Sequence, residues 1–246
     1  MIFVIVLTIT AVWIKSMDSH RISGRILAEN IAGPGMLRLV EQSMQARTRK
    51  ASVAEIAVKE RKYPQAALTF DDGPDSRYTP LLLDGLKERN VRVSFFLLGE
   101  KVEQYPELVE RMQKEGHLVG NHTYHHVQLN KLNETKAREE ILKTNNLIYE
   151  TTGVYPLYLR PPFGAWKKNL ELCVEMLPVF WTIDTLDWKV QNTEKIVHTV
   201  QEQIEDGAII LMHDEYDTSV EAALQVVDEL KNQGYELVTV DQLILP

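Results

Sequence analysis

From Pro64 onward the chain alternates between two patterns. Short runs rich in β-branched and aromatic residues read as strands: 66–70 (AALTF), 92–98 (RVSFFLL), 117–120 (HLVG), 157–160 (LYLR), 179–183 (VFWTI), 208–212 (AIILM) and 236–240 (ELVTV). Between them lie amphipathic stretches with helix start and stop signals. Pro106 suits a first helical turn, and Gly116 ends the stretch 107–115 (ELVERMQKE). Asn133 can cap 134–150 (ETKAREEILKTNNLIYE), which stops at Gly153, and Gly234 closes 222–233 (AALQVVDELKNQ). Strands separated by helices favour parallel pairing through right-handed crossovers. Seven strands are one fewer than a closed eight-stranded barrel needs. The expected fold over residues 64–246 is therefore α/β, a distorted seven-stranded (β/α) barrel, with an open doubly wound sheet as the alternative.

The first residues follow a different rule. Residues 2–13 (IFVIVLTITAVW) are uncharged and almost wholly apolar. That run is shorter than the roughly 20 residues of a spanning helix and falls within the range of a signal-peptide core. No Lys or Arg precedes it, and no Ala-x-Ala pattern closely follows. Residues 1–15 are thus read as a membrane anchor or a signal-like segment, with a buried first strand or helix as the plain alternative. Either leading reading places the rest of the protein outside the cytoplasm, at the cell surface. Residues 16–63, with Gly33-Pro34-Gly35 and a basic run at Arg47, Arg49 and Lys50, read as a stalk.

Composition narrows the partners. With 44% hydrophobic and 25% charged residues the chain is ordinary globular material, neither disordered nor a multi-span membrane protein. The formal net charge is −8. Residues 1–63 carry ten Lys/Arg against five Asp/Glu, and residues 64–246 carry seventeen against thirty. An acidic main body argues against nucleic acid as a partner. Cys173 stands alone, which excludes an internal disulfide framework and a cysteine-rich zinc module.

The chemistry lies in where the ionisable residues fall. Asp71 and Asp72 follow the first strand, His122 the third, Asp184 the fifth and His213 the sixth, while Arg160 ends the fourth. Five segments deliver them to the C-terminal strand ends, the face on which parallel α/β barrels build their sites. Asp72 with His122 and His126 forms a candidate site for zinc or another divalent ion. If 123–126 is helical, the i, i+4 spacing sets both imidazoles on one face. His-x-x-x-His alone is weak, Asp-Asp-Gly-Pro is also good turn chemistry, and His125 reads as a surface or supporting residue. Asp71 beside the ligand Asp72 can take the proton of water activated by the ion, and Arg160 is the candidate to orient it. His213 can protonate a leaving group, with Asp187 keeping it charged near neutral pH. An isolated histidine at a strand end would more simply be a satisfied structural residue.

Taken together, Thr69-Phe70-Asp71-Asp72-Gly73-Pro74, His122-Thr123-Tyr124-His125-His126, Arg160-Pro161-Pro162-Phe163-Gly164, Asp184-Thr185-Leu186-Asp187-Trp188 and Leu211-Met212-His213 resemble the five ordered motifs of the polysaccharide deacetylases, carbohydrate esterase family 4 or NodB-homology enzymes. The resemblance covers about residues 64–246. It implies a distorted (β/α) barrel and metal-dependent removal of N-acetyl groups from GlcNAc-type sugars, or of O-acetyl esters. It implies Asp71 as base, Asp72, His122 and His126 as ligands of zinc (in some members cobalt or nickel), Arg160 as the tether of Asp71, and His213 tuned by Asp187 as acid. The Phe163 main-chain N–H would stabilise the oxyanion, and Trp188 and Leu211, with Asp184 nearby, would line the substrate groove. Peptidoglycan is the favoured substrate, because an anchor and stalk would hold the domain, acting as a monomer, close to the cell wall. A xylan O-acetyl esterase and a non-catalytic carbohydrate-binding wall protein are the alternatives.

Overall fold

A computed structural model of the chain describes residues 62–166 and 176–244. The run 2–13, Cys173 and all of the expected stalk except Lys62 and Tyr63 lie outside the described residues. The described residues open with β1 (Gln65–Asp71), α1 (Tyr78–Glu88), β2 (Ser94–Leu97), α2 (Gly99–Gln104), α3 (Pro106–Lys114) and β3 (Leu118–Asn121). They continue with α4 (Glu134–Thr152), β4 (Tyr158–Leu159), β5 (Leu177–Pro178), β6 (Ile183–Asp184) and α5 (Asp187–Val190). They close with α6 (Thr193–Gln203), β7 (Ala208–His213), α7 (Asp217–Asn232), β8 (Glu236–Leu237) and α8 (Val240–Ile244). Among the described residues, no helix is long and apolar enough to cross a membrane.

Every strand pairing is parallel, in the order β5-β4-β3-β2-β1-β7-β6, and β8 joins the first residues of β1. This seven-strand path has to curl. In a flat sheet, strands spaced by about 4.8 Å would set β5 and β6 about 29 Å apart. The chain from Pro178 to Ile183 reaches at most about 18 Å. Residues 179–182 of the expected strand 179–183 are therefore irregular chain between two short strands, because this run crosses from one edge of the sheet to the other. Val179 N–H donates to Leu159 O at 2.8 Å on the β4 side, and Thr182 N–H to Ile209 O at 2.9 Å on the β7 side. The expected strand 236–240 ends early at Leu237. Thr239 N–H donates to Gln242 Oε1 at 3.2 Å, and Val240 already begins α8.

The helix punctuation holds. Asn133 accepts from Lys136 N–H at 2.9 Å at the start of α4, and Gly153 (φ 73°) ends that helix in the left-handed region. Pro106 opens α3, and Gly116 (φ 84°) follows its end.

Strand period two divides the chemistry from the packing. In β1, Ala66, Leu68 and Phe70 join the main core under the helices, with Phe95 and Leu97 of β2 and Ala208, Ile210 and Met212 of β7. The alternate residues Ala67, Thr69 and Asp71 point the other way, into the curl. Ala67, Phe96, Tyr158, Val179, Val240 and Leu243 fill its lower part. Above this plug, the inward positions become polar.

Candidate active site

Asp71 and His213 are the last residues of β1 and β7 and stand opposite each other in register. Parallel pairing at equal phase sends both side chains to the inner face. Asp71 is buried, and its Oδ1 accepts from Arg160 Nη1 at 2.8 Å. Arg160 follows β4 directly and is wholly buried. Its Nη1 also donates to Thr69 Oγ1 at 2.7 Å, and its guanidinium lies 4.2 Å from the centre of the Phe96 ring. Burial pushes the guanidinium pKa down, and Asp71 pulls it back. Thr69 is a site residue that the strand pattern did not single out. The signal was a lone hydroxyl inside an otherwise apolar run.

His122 follows β3, and its Nδ1 lies 2.7 Å from Arg160 O. A carbonyl only accepts, so Nδ1 carries the proton and Nε2 keeps its lone pair. That lone pair faces Asp72, whose Oδ1 lies 3.4 Å from His122 Nε2 and 3.4 Å from His126 Nε2. The two histidines do not share a helical face. Residues 122–128 are irregular, and positive φ at Thr123 (67°) and His126 (55°) folds the chain back until the ring centres are 5.0 Å apart. Left-handed backbone at non-glycine residues costs about 1–3 kcal/mol each and persists where surroundings over-determine it. Asp72 is itself at φ 67°.

These three residues fit a divalent ion. Their ligand atoms lie within 4.8 Å of one another, the one such group among the described residues. Asp72 Oδ1 is buried with no hydrogen-bond partner, an orphan acceptor that a cation would satisfy. Two atoms each about 2.0–2.1 Å from a tetrahedral zinc are about 3.3–3.4 Å apart, which matches both Asp72–imidazole separations. A ligating histidine ordinarily donates its other ring N–H to a carbonyl or carboxylate, as His122 does. Burial resists the charge on Asp72, but the surrounding imidazoles of His122, His126 and His213 hold its carboxyl well below the usual range. Burial lowers the His126 pKa against the pull of Asp72, favouring the neutral ring that a ligand needs.

His213 closes the other side, its Nε2 3.8 Å from Asp72 Oδ2. Its Nδ1 donates to Asp187 Oδ1 at 2.8 Å, and its main-chain N–H to Asp187 Oδ2 at 2.7 Å. Burial works against a charged ring, but Asp187, helped by Asp71 and Asp72, overrides it and raises the pKa to about 9. Trp188 N–H donates to Asp187 Oδ1 at 2.9 Å, so the same carboxylate fixes the start of α5. The rim is apolar and exposed. Phe163 (62% exposed, φ 59°) packs its ring 4.5 Å from that of His126, and Trp188 is 49% exposed. Leu211 is buried in β7. Asp184 commits Oδ1 to Leu186 N–H at 3.0 Å, shaping the turn into α5.

Asp214 is a further buried acid beneath the Asp-Asp-Gly-Pro turn. Thr79 Oγ1 donates to its Oδ2, and burial pushes its carboxyl up to about 7. A Cβ at position 73 would lie 2.4 Å from Asp214 Oδ1, so any larger residue there would force this buried carboxyl to move.

The family model for polysaccharide deacetylase matches residues 59–180. The chain is 42% identical over 185 residues to the peptidoglycan-N-acetylglucosamine deacetylase PgdA of Listeria monocytogenes, covering 75% of this chain and 40% of that protein. The described domain thus corresponds to about two fifths of that longer relative. It is 40% identical over 186 residues to a peptidoglycan-N-acetylglucosamine deacetylase of Bacillus cereus, covering 73% of this chain and 68% of that one. Among solved structures, the peptidoglycan deacetylase PdaC of Bacillus subtilis superposes with a TM-score of 0.72 at 42% identity, covering 74% of this chain and 91% of that one.

Proposed function

The chain belongs to the polysaccharide deacetylase family, and we propose that it hydrolyses N-acetyl groups from GlcNAc-type sugars of peptidoglycan. The observation that carries this reading is the orphan Asp72 Oδ1, set 3.4 Å from two imidazoles, with Asp71 and His213 on either side. Peptidoglycan is favoured because the similar proteins of L. monocytogenes and B. cereus are named for that substrate.

Asp72, His122 and His126 would hold the ion, zinc or else cobalt or nickel, which supplies Lewis-acid polarisation of the acetamide and makes water acidic enough to react near neutral pH. Asp71 is the base. Arg160 occupies its Oδ1, and Oδ2, 3.7 Å from His122 Nε2, is left to take the proton of the attacking water. His213, charged through Asp187, is the acid and delivers a proton from Nε2 to the departing amine. Acetate and the free amine are the products, and one water is consumed. The main-chain N–H of Phe163 is the proposed donor to the oxyanion. Phe163 and Trp188 form the apolar walls for the sugar, Leu211 faces the acetyl methyl, and Asp184 holds the Trp188 wall in place. Residues 1–15 serve as anchor or export signal and 16–63 as spacer, so the reaction occurs outside the cytoplasm at the wall.

The test is acetate release from purified peptidoglycan, chitooligosaccharides and acetylxylan side by side, with metal content measured on the same sample. Acetate from peptidoglycan in a metal-loaded preparation is the expected result. Release from acetylxylan alone would replace this reading with the O-esterase, and release from none would replace it with a binding protein.

A further inference from the structure

Glu140 is a side chain beside the site that is fully committed yet has no part in the mechanism above. It stands on α4, behind the loop that carries His122 and His126, and is largely buried. Its Oε2 accepts from the main-chain N–H groups of Tyr124 at 3.1 Å and His125 at 2.9 Å. Its Oε1 accepts from His125 Nδ1 at 2.8 Å. The same helix also holds the end of β3, because Asn121 Nδ2 donates to Ile141 O at 2.9 Å and Asn145 Oδ1 at 2.7 Å. From the opposite side, Gly99 N–H and Glu100 N–H donate to Thr123 O at 2.9 Å and Tyr124 O at 3.2 Å.

The loop needs such a grip. Its course depends on positive φ at Thr123 and His126, one of them β-branched, and neither is a conformation the chain adopts unaided. The contacts from α2 and Asn121 stop at Tyr124. Glu140 extends the grip to His125, the neighbour of His126, with a carboxylate that binds two successive amides and a ring.

We propose that Glu140 is the positioning residue of the metal site: it fixes the chain between His122 and His126 so that both Nε2 atoms converge on Asp72 Oδ1. The inference rests on the metal reading above, since two of the three proposed ligands are what it positions. Removing a group that orients metal ligands typically weakens metal affinity 10- to 100-fold.

The experiment is Zn2+ affinity of the full chain by competition with a chromophoric chelator, together with thermal melting of the metal-free protein. E140A is expected to weaken Zn2+ binding about 10- to 100-fold. E140Q keeps one carbonyl for the two amides but loses the charge that strengthens those bonds, so it should weaken Zn2+ binding measurably, though less than E140A. H125A, which leaves both amide bonds in place, should stay within about threefold of the native chain. If E140A does not fold, E140Q decides. Native-like affinity in the folded Glu140 variants overturns the inference, including when only their melting temperature falls, because that is the mark of a merely structural role. Failure of the native chain itself to bind Zn2+ overturns the metal reading and this inference together, whereas unchanged affinity in the variants overturns this inference alone.

Discussion

Asp71 and His213 occupy one register level on neighbouring parallel strands, and each is held by a different buried partner. Arg160 grips Asp71 at 2.8 Å, and Asp187 grips His213 at 2.8 Å. The sheet places the two groups side by side, while the partners set them to opposite tasks. In the proposed reaction one accepts a proton and the other gives one.

In metal-free protein His213 should titrate near 9 rather than near 6.5. Its folded pKa lies above the unfolded value, so the charged ring's bond to Asp187 stabilises the fold fully below about 6.5, and this contribution is lost as pH rises through about 9. Asp187→Asn should bring the titration back toward 6.5. Ring-proton NMR of both proteins measures this, and a native midpoint at or below the ordinary histidine value contradicts it.

Asp71→Asn and His213→Ala should each lower deacetylation about 10²- to 10⁴-fold, the usual worth of a positioned acid or base. Neither side chain is among the three proposed ligands, so the zinc content of the purified variants should stay near native. Kinetics paired with metal analysis separates this outcome from simple loss of the ion.

Zinc should raise the melting temperature. At 100 times its dissociation constant a ligand adds about 2.7 kcal/mol, or about 5–10 °C for a domain of this size. Asp72→Ala should abolish the rise, and a chelator should reverse it and stop activity together. A melting curve indifferent to zinc would count against the site.

Arg160→Ala should destabilise the fold by about 3–5 kcal/mol, because it strands a buried carboxylate. The midpoint of urea unfolding reports it, and a shift worth less than about 1 kcal/mol would show that Asp71 does not depend on this partner.

Gly73→Ala should cost about 1–3 kcal/mol through overpacking, since the added carbon would lie 2.4 Å from Asp214 Oδ1. In an Asp214→Ala background the clash is gone and the increment should shrink. A double-mutant cycle with coupling below about 0.5 kcal/mol would refute the contact.

Much of this arrangement was legible in the chain because strand ends are. Asp71 and His213 sit where an apolar alternating run stops, so pattern alone delivers them to one face. The reading failed where geometry departs from a repeating element. His122 and His126 have helical spacing but meet through left-handed turns at Thr123 and His126, and no periodicity reports such turns. The run 179–183 looks like one strand, yet it bridges the two edges of the curled sheet, a job set by closure rather than by local preference. Glu140 lay on an ordinary-looking helix, and only the approach of another segment reveals what its carboxylate holds.

Arg160 serves two neighbours by two different means. Its guanidinium secures Asp71, while its main-chain carbonyl orients His122. Substitution erases the first and leaves the second, since every residue carries a carbonyl. An Arg160→Ala protein that still folds would therefore keep His122 aligned through the main-chain carbonyl while Asp71 loses its partner.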